Sequence, residues 1–600
     1  MSARDVTLAR IVGGALDTAA AEMSAGVTRT ARSPIFNEAH DFVTGIFEYK
    51  NEQPRLIAQA PGCTLHLYAI CDAVRSALAA FKFDLHPGDV ILASDPYDGG
   101  THIPDQVLIM PVFVNRKPVF FPAVRAHFAD VGGPVAGGYN PRARDIWQDG
   151  VIVSPIKLYE RGELRRDVYD MIVANNRTPQ WIAGDLQAMH GACVTAAKRI
   201  QSLLRTYGDS VVLTAINQNI EYTERRVRAE ISRWPDGSYY AETYIDHDYQ
   251  GAHDIKVACT LTVEGSEIHF DFGGTSPQVD GFVNSPIANT LSFVFVAVAS
   301  CFDEDIPINE GYINPVRVTA PAGSVVNPSR PKPVGNCTCI CGAEIAEVAI
   351  LALSQCAPER VGVNCHKLPL AYTNGRGRDG NVWVNLNFFG YTGGAGAGFG
   401  TDGWGLYPPV MTGVILPSIE MTEMQYPVKI IKHEYVADCT GPGRWRGVPG
   451  LETIMEYSDV SYTNVMLAGV HHPAQGLCGA PQGAANAVTL IPTPMQRLVI
   501  TEVGYQVEMP PGGRIHFVRG GGGGWGDPYT RPPEDVLNDV QNGYVTIAGA
   551  AAEYGVVIDP HLERIDLSAT ELIRANHRSR AAADTIAAHR PAATAPKLDT

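Results

Sequence analysis

The stretch Ser94-Asp95-Pro96-Tyr97-Asp98-Gly99-Gly100-Thr101-His102-Ile103-Pro104-Asp105 leads into a nearly unbroken apolar run, Gln106 to Val114. The chain turns at Asn115-Arg116-Lys117 and is apolar again from Pro118 to Ala126, ending at His127. The opening segment is too polar and too strongly turn-coded to be core, so it reads as a loop that presents side chains. The two apolar runs predict a buried β-hairpin. If its turn centres on Arg116, residues whose numbers sum to 232 face one another and Asp105 stands opposite His127. Directly opposed Cβ atoms lie roughly 4.5–5.5 Å apart, close enough for a carboxylate and an imidazole to share a cation. A two-residue turn would set the pair diagonally instead. His102 can add a second imidazole, with Pro104 breaking the strand between them. Two imidazoles and a carboxylate suit zinc, iron or manganese and leave room for water or substrate. The competing reading has His102 bonded to a backbone carbonyl, Asp105 capping the strand and His127 satisfied in the core.

The composition suits a large globular enzyme subunit. Six hundred residues exceed what one core usually serves, and 45% hydrophobic with 18% charged residues describes a folded chain. A formal net charge of −16 argues against a nucleic-acid or anionic-membrane partner. The N-terminus does not resemble a signal peptide, and no apolar run reaches the roughly 18 residues of a membrane span, which predicts a cytoplasmic protein. The 12 cysteines read as reduced thiols and not as a disulfide framework.

The pattern along the chain predicts an α+β fold of several subdomains. Leu8, Val12, Leu16, Ala19, Met23 and Val27 recur at helical spacing; a strand is expected at Phe42–Phe47 and a helix over Leu67–Phe81. Residues 132–150 form a glycine-rich connection holding Arg142, Arg144, Asp145 and Trp147, a candidate lid. Helices run from Leu164 to about Leu204, with a new one starting at Pro179. Strands at Val257–Val263 and Glu267–Phe272 flank the Glu264-Gly265 turn, and Leu291–Cys301 reads as a buried helix. We place an α+β region carrying the metal site at 1–235, a β-rich region with glycine-rich loops at 236–530, and a helical segment and tail at 531–600. The tail after about residue 570, Ala-rich and Pro-containing from Arg590, is expected to be frayed or docked on a neighbour.

Two further motifs have specific readings. Cys337, Cys339 and Cys341 alternate, so in a strand or a turn their sulfurs could meet a soft metal, with Cys356, Cys365 and His366 the available downstream partners. The glycine clusters at Gly393–Gly405 and Gly520–Gly526 fit neither the P-loop nor the dinucleotide fingerprint, which predicts close backbone packing and no ATP site on this chain.

Asp95 to Asp105 together with His127-Phe128-Ala129-Asp130-Val131-Gly132-Gly133 resembles the signature of the hydantoinase B/oxoprolinase family. The resemblance continues at Arg32-Ser33-Pro34 with Asp41-Phe42, at Asn175–Pro179, Phe270–Gly281, Asn309–Gly311, Gly441–Gly447 and Gly520–Pro528. It implies a metal-binding subunit with Asp41 as a further ligand beside His102, Asp105 and His127. It also implies a hydantoinase A-like ATPase partner carrying ATP and Mg, in a hetero-oligomer such as α2β2. The implied reaction is hydrolysis of a cyclic amide or imide whose carbonyl the partner has phosphorylated. The alternatives are an ATP-dependent ketone carboxylase of the acetone or acetophenone type, a free-standing metallohydrolase and a non-catalytic scaffold. Asp98 and Asp130 flank the ligands as candidates for orienting them or moving protons, and His66 matches a histidine of the family pattern. The chain departs from that pattern at Gly62, where a histidine is usual, and at Cys337-Thr338-Cys339, where Glu-Thr-Ser is usual.

Overall fold

The computed structural model describes residues 3–81, 84–303, 305–377, 380–405 and 413–588. The tail expected to fray after about residue 570 is instead helical over its described part, within the helix Leu567–Ala588, because its alanine-rich sequence favours helix; from 589 it falls outside the described residues. The fold is α+β, with helices distributed among several sheets.

An eight-stranded sheet positions the site. Its strands lie in the order Gln53–Gln59, Phe42–Lys50, Lys117–His127, Asp105–Ile109, Val90–Ala93, Ile156–Glu160 and Glu163–Leu164, with Val112–Val114 paired to Lys117–His127. The long helices Ala3–Thr30 and Pro179–Tyr207 pack on it, Thr44 donating to the Ala20 carbonyl and Cys193 to that of Pro122. The short helices Thr64–Leu67 and Ala69–Phe81 cover its strands as well, and behind them lies the apolar helix Ile287–Ala299. Covering the sheet this way makes its central strands almost wholly apolar. The expected single helix over Leu67–Phe81 is instead two, broken at Tyr68. Ser292 ties the break, donating to the Leu65 carbonyl at 2.8 Å and accepting the Ala69 N–H at 3.3 Å.

The hairpin turn differs from the expectation, but the pairing it was meant to give survives. Asn115 and Arg116 form a two-residue turn with φ of 49° and 65°, the left-handed pair that suits the twist of a hairpin. Phe113 and Val114 accordingly pair with Pro118 and Lys117, one residue out of the anticipated register. A β-bulge between Val112 and Phe113 restores the offset, so Val112 pairs with Phe120 and Asp105 with His127. Pro118 lacks an N–H for the ladder, which suits an irregular position of this kind.

Beyond the helix that ends at Ile231, Gly237–His247, His253–Glu264, Glu267–Asp271 and Val316–Thr319 form a four-stranded sheet against the helix Gly342–Leu353. Two more sheets, between Leu370 and Val518, enclose a core of Met455, Tyr457, Leu490 and Phe517. The largest apolar cluster is continuous from Ala9 to Leu477, so the N-terminal sheet and much of the β-rich region share one core. The glycine run beginning at Gly520 packs as expected: a Cβ on Gly522 would lie 1.8 Å from the Ala395 carbonyl oxygen. Helices Pro533–Gln541 and Ile547–Tyr554 pack around Val536 and Tyr554, and the helix Leu567–Ala588 follows them.

Candidate metal centre

Strand register creates the site. Asp105 is opposite His127, and Phe42 is opposite Ala126 on the other flank of the same strand. Asp41, one residue ahead of its strand, is therefore level with His127, and its carbonyl accepts the His127 N–H at 3.1 Å. Three neighbouring strands thus present Asp41, His127 and Asp105 in one row on one face.

His102 enters this row from the loop. Its Nε2 is 2.9 Å from Asp105 Oδ1 and 3.2 Å from His127 Nδ1, which is itself 3.2 Å from the same carboxylate oxygen. The ligating atoms of His102, Asp105 and His127 lie within 4.8 Å of one another, and those of Asp41, Cys63 and His66 form a second such group. His66 joins the two, with Nε2 3.0 Å from Asp41 Oδ1 and Nδ1 3.7 Å from Asp105 Oδ2. Arg125 braces the junction: its Nε donates to His66 Nδ1 at 3.4 Å and its Nη2 to Thr101 Oγ1 at 2.6 Å and Asp105 Oδ2 at 3.4 Å.

The donors fit a cation. His102 donates from Nδ1 to the Gly335 carbonyl at 2.9 Å, so a neutral ring turns a bare Nε2 lone pair toward the Asp105 oxygen. Two acceptors at that separation repel unless a proton or a metal ion lies between them. His127 Nε2 is buried without a partner, an available ligand atom. Of the two buried carboxylates, Asp105 meets the guanidinium of Arg125 and Asp41 meets the His66 imidazole, an arrangement that can take up a divalent ion. Nitrogen and oxygen donors of this kind suit zinc, manganese or iron.

Electrostatics keep the carboxylates ionised. Burial pushes Asp105 up, but its interactions with the His102 and His66 imidazoles and the hydrogen bonds from His102 and His127 hold it well below the usual range. Burial likewise raises Asp41, and its bond to His66 more than reverses that. Burial, with Asp41 beside it, pushes the Cys63 thiol well up, so this sulfur stays protonated. Burial also lowers Arg125 from its ordinary value, against the pull of Asp105.

An aromatic cover comes from the glycine-rich connection. The Tyr139 ring stacks on His127 at 5.8 Å and 20° and meets His102 edge-on at 5.6 Å. Gly137, at φ 93°, lets the backbone pass Tyr372, whose ring would lie 3.2 Å from a Cβ there.

The other expected site residues fall in different places. His66 is at the centre. Asp130 is fully buried, and its carboxylate accepts from the N–H groups of Gly137 at 3.0 Å and Arg177 at 2.7 Å and from Arg177 Nη1 at 3.0 Å. It anchors the loop that carries Tyr139. Asp98 is exposed and accepts a hydrogen bond from Ser76; neither aspartate belongs to the ligand groups. Cys337, Cys339 and Cys341 are buried in the turn before the helix Gly342–Leu353, and among the described residues they join no metal-ligating group.

Cys63, Thr101, Arg125, Tyr139 and Gly335 were not assigned roles from sequence. Arg125 had a signal, since it lies two residues before His127 on the same strand face. Behind Gly335 stands Asp149, which accepts the Val334 N–H at 2.8 Å. Burial pushes the Asp149 carboxyl up to about 8.

Fold and site together define an α+β chain built around a buried cluster of imidazole and carboxylate groups. Residues 5–528 match the hydantoinase B/oxoprolinase family model, and the chain belongs to that family. It is 33% identical to the beta chain of the caprolactamase of Pseudomonas jessenii, over 95% of this chain and 99% of that protein. It is 29% identical to the B chain of a putative D-/L-hydantoinase of Pseudomonas sp. strain NS671, over 95% and 98% of the two chains. The crystal structure of the ATP-dependent caprolactamase from Pseudomonas jessenii superposes with a TM-score of 0.89 over 95% of this chain and 99% of that one. Nucleotide-free acetone carboxylase superposes with a TM-score of 0.87 over 98% and 84% at 17% identity, which shows a shared fold.

Proposed function

We propose that this chain is the metal-binding catalytic subunit of an ATP-dependent cyclic amide hydrolase, working with a hydantoinase A-like ATPase subunit in a hetero-oligomer. The observation that carries the reading is the row Asp41, His127 and Asp105 with His102 turned into it. The 33% identity to a caprolactamase chain supports a lactam or imide over a ketone, because the likeness to acetone carboxylase is one of fold.

In this reading the partner transfers the γ-phosphoryl group of ATP to the substrate carbonyl oxygen. On this chain, water oxygen adds to the activated carbon, the C–N bond breaks and the ring nitrogen takes up a proton. A second water then releases phosphate from the acyl phosphate. A divalent ion held by Asp41, His102, Asp105 and His127 would supply Lewis acidity and acidify water. His66 and Arg125 hold the two carboxylates ionised and oriented, as partners around metal ligands commonly do. The Gly335 carbonyl fixes the His102 tautomer, and Tyr139 excludes bulk water from the imidazoles. Asp130 serves the reaction by anchoring the loop of Tyr139. The cytoplasm, where ATP is available, is the expected compartment.

The test is metal analysis of the co-purified complex, with substrate-dependent ATP hydrolysis measured over lactams, hydantoins and ketones, with and without bicarbonate. Stoichiometric metal and bicarbonate-independent ring opening are expected. Strict bicarbonate dependence would move the assignment to a carboxylase. Metal bound without any effect of His127→Ala on turnover would make this chain a scaffold.

A further inference from the structure

A cavity of about 510 Å³ opens beside the loop that carries Tyr139, with Pro141, Arg142, Arg144, Tyr249, Gln250 and Tyr505 in its wall. That volume suits a small organic ligand. The two arginines alternate around the fully buried Ala143, so the backbone anchors between them and both guanidiniums remain outside. The segment is built rather than loose: Gln250 Nε2 donates to the Pro141 carbonyl at 2.9 Å, the Arg142 N–H to Asn140 Oδ1 at 3.1 Å and the Arg144 N–H to Gln148 Oε1 at 3.1 Å. Arg142 lies 3.9 Å over the Tyr505 ring, which fixes one face of the guanidinium and leaves its edge free.

Neither arginine has an ion-pair partner among the described residues. Asp280, an acid whose ionisation Arg144 favours, is already bonded to Lys332. In a chain of net charge −16, two arginines lining one cavity without a direct ion pair make that cavity locally positive. Guanidinium forks match phosphoryl oxygens in geometry and charge. Pro141 in the cavity wall follows Tyr139 by two residues on the same loop, and Tyr139 covers both imidazoles.

We propose that this cavity binds a phosphomonoester dianion, the phosphoryl group of the activated substrate, and holds it at the approach to the imidazoles. The inference rests on the phosphorylated-carbonyl reading above and adds the site that receives the group. No covalent step is assigned to the arginines.

The experiment uses the intact complex with its ATPase partner, as wild type, Arg142→Gln, Arg144→Gln and the double variant. Calorimetric titration with inorganic phosphate and with phenyl phosphate is paired with the ratio of ADP formed to ring-opened product. Each substitution should weaken phosphate binding about tenfold, the loss expected for one charge-assisted hydrogen bond. The double variant should form several ADP per ring-opened product as activated substrate escapes to water. Binding of phenyl phosphate but not inorganic phosphate would assign the site to substrate, and the reverse to released product. Unchanged titrations across the variants overturn the proposal. If the wild-type complex opens no cyclic amide, the functional reading fails, and the titrations still decide the arginine site.

Discussion

Asp149→Asn isolates one buried proton behind the candidate metal centre. The Asp149 carboxyl accepts from the Val334 backbone, and burial raises its pKa from 3.8 to about 8 against the backbone N–H groups of Val334 and Gly335. The folded protein therefore keeps this proton in a pH range where the unfolded chain has lost it. Stability from this group is fully present below the unfolded pKa, falls as pH rises and is exhausted above the folded pKa. At about 1.4 kcal/mol per pH unit, wild type should lose about 3 kcal/mol from this group between about pH 5 and about pH 7.5. Asparagine can accept the same N–H and has no proton to lose, so the variant should gain on wild type by that amount over the interval. Urea unfolding of the two proteins side by side, followed by tryptophan fluorescence at several pH values, measures the difference. Parallel pH profiles would refute the reasoning. Metal content should be unchanged, because the Gly335 carbonyl that holds His102 is retained.

His127→Ala removes the central member of the row and should abolish stoichiometric metal and cut turnover at least about 100-fold, with the partner still bound; metal analysis and size exclusion check both. Asp98→Asn should leave turnover within about twofold, because its carboxylate is exposed and bonded only to Ser76; a large loss of kcat would place it at the reaction. Lys367→Met strands Glu344 and Glu347, both buried against the ammonium group, and should cost about 3–5 kcal/mol by urea unfolding. Little change there would mean the two glutamates share a proton.

The sheet half of the centre was legible because side-chain direction and strand pairing follow from simple periodicity. Asp105 opposite His127 could be read from the apolar runs on either side of Arg116. The bulge at Val112 could not, because a bulge leaves no signal in an apolar run and its effect is to cancel the shorter turn. Asp130 and Asp98 looked alike in sequence, each beside a ligand, yet one anchors a loop and the other lies on the surface. Proximity along the chain does not say where a carboxylate points. Asp41 in the row was implied by the family resemblance, and the register of its strand supplies a physical reason for that position.

What sequence could not reach is the half of the centre that arrives from far away. Gly335 is 233 residues from His102, and Asp149 holds the backbone beside it from a third segment. The row on the sheet is rigid, fixed by three paired strands, whereas the His102 tautomer depends on a turn that is in place only when the β-rich region has packed. One apolar cluster joins the two regions, so the His102 orientation is tied to the packing of the β-rich region. An isolated fragment of the first 235 residues lacks Gly335 and should bind metal weakly even if its sheet forms.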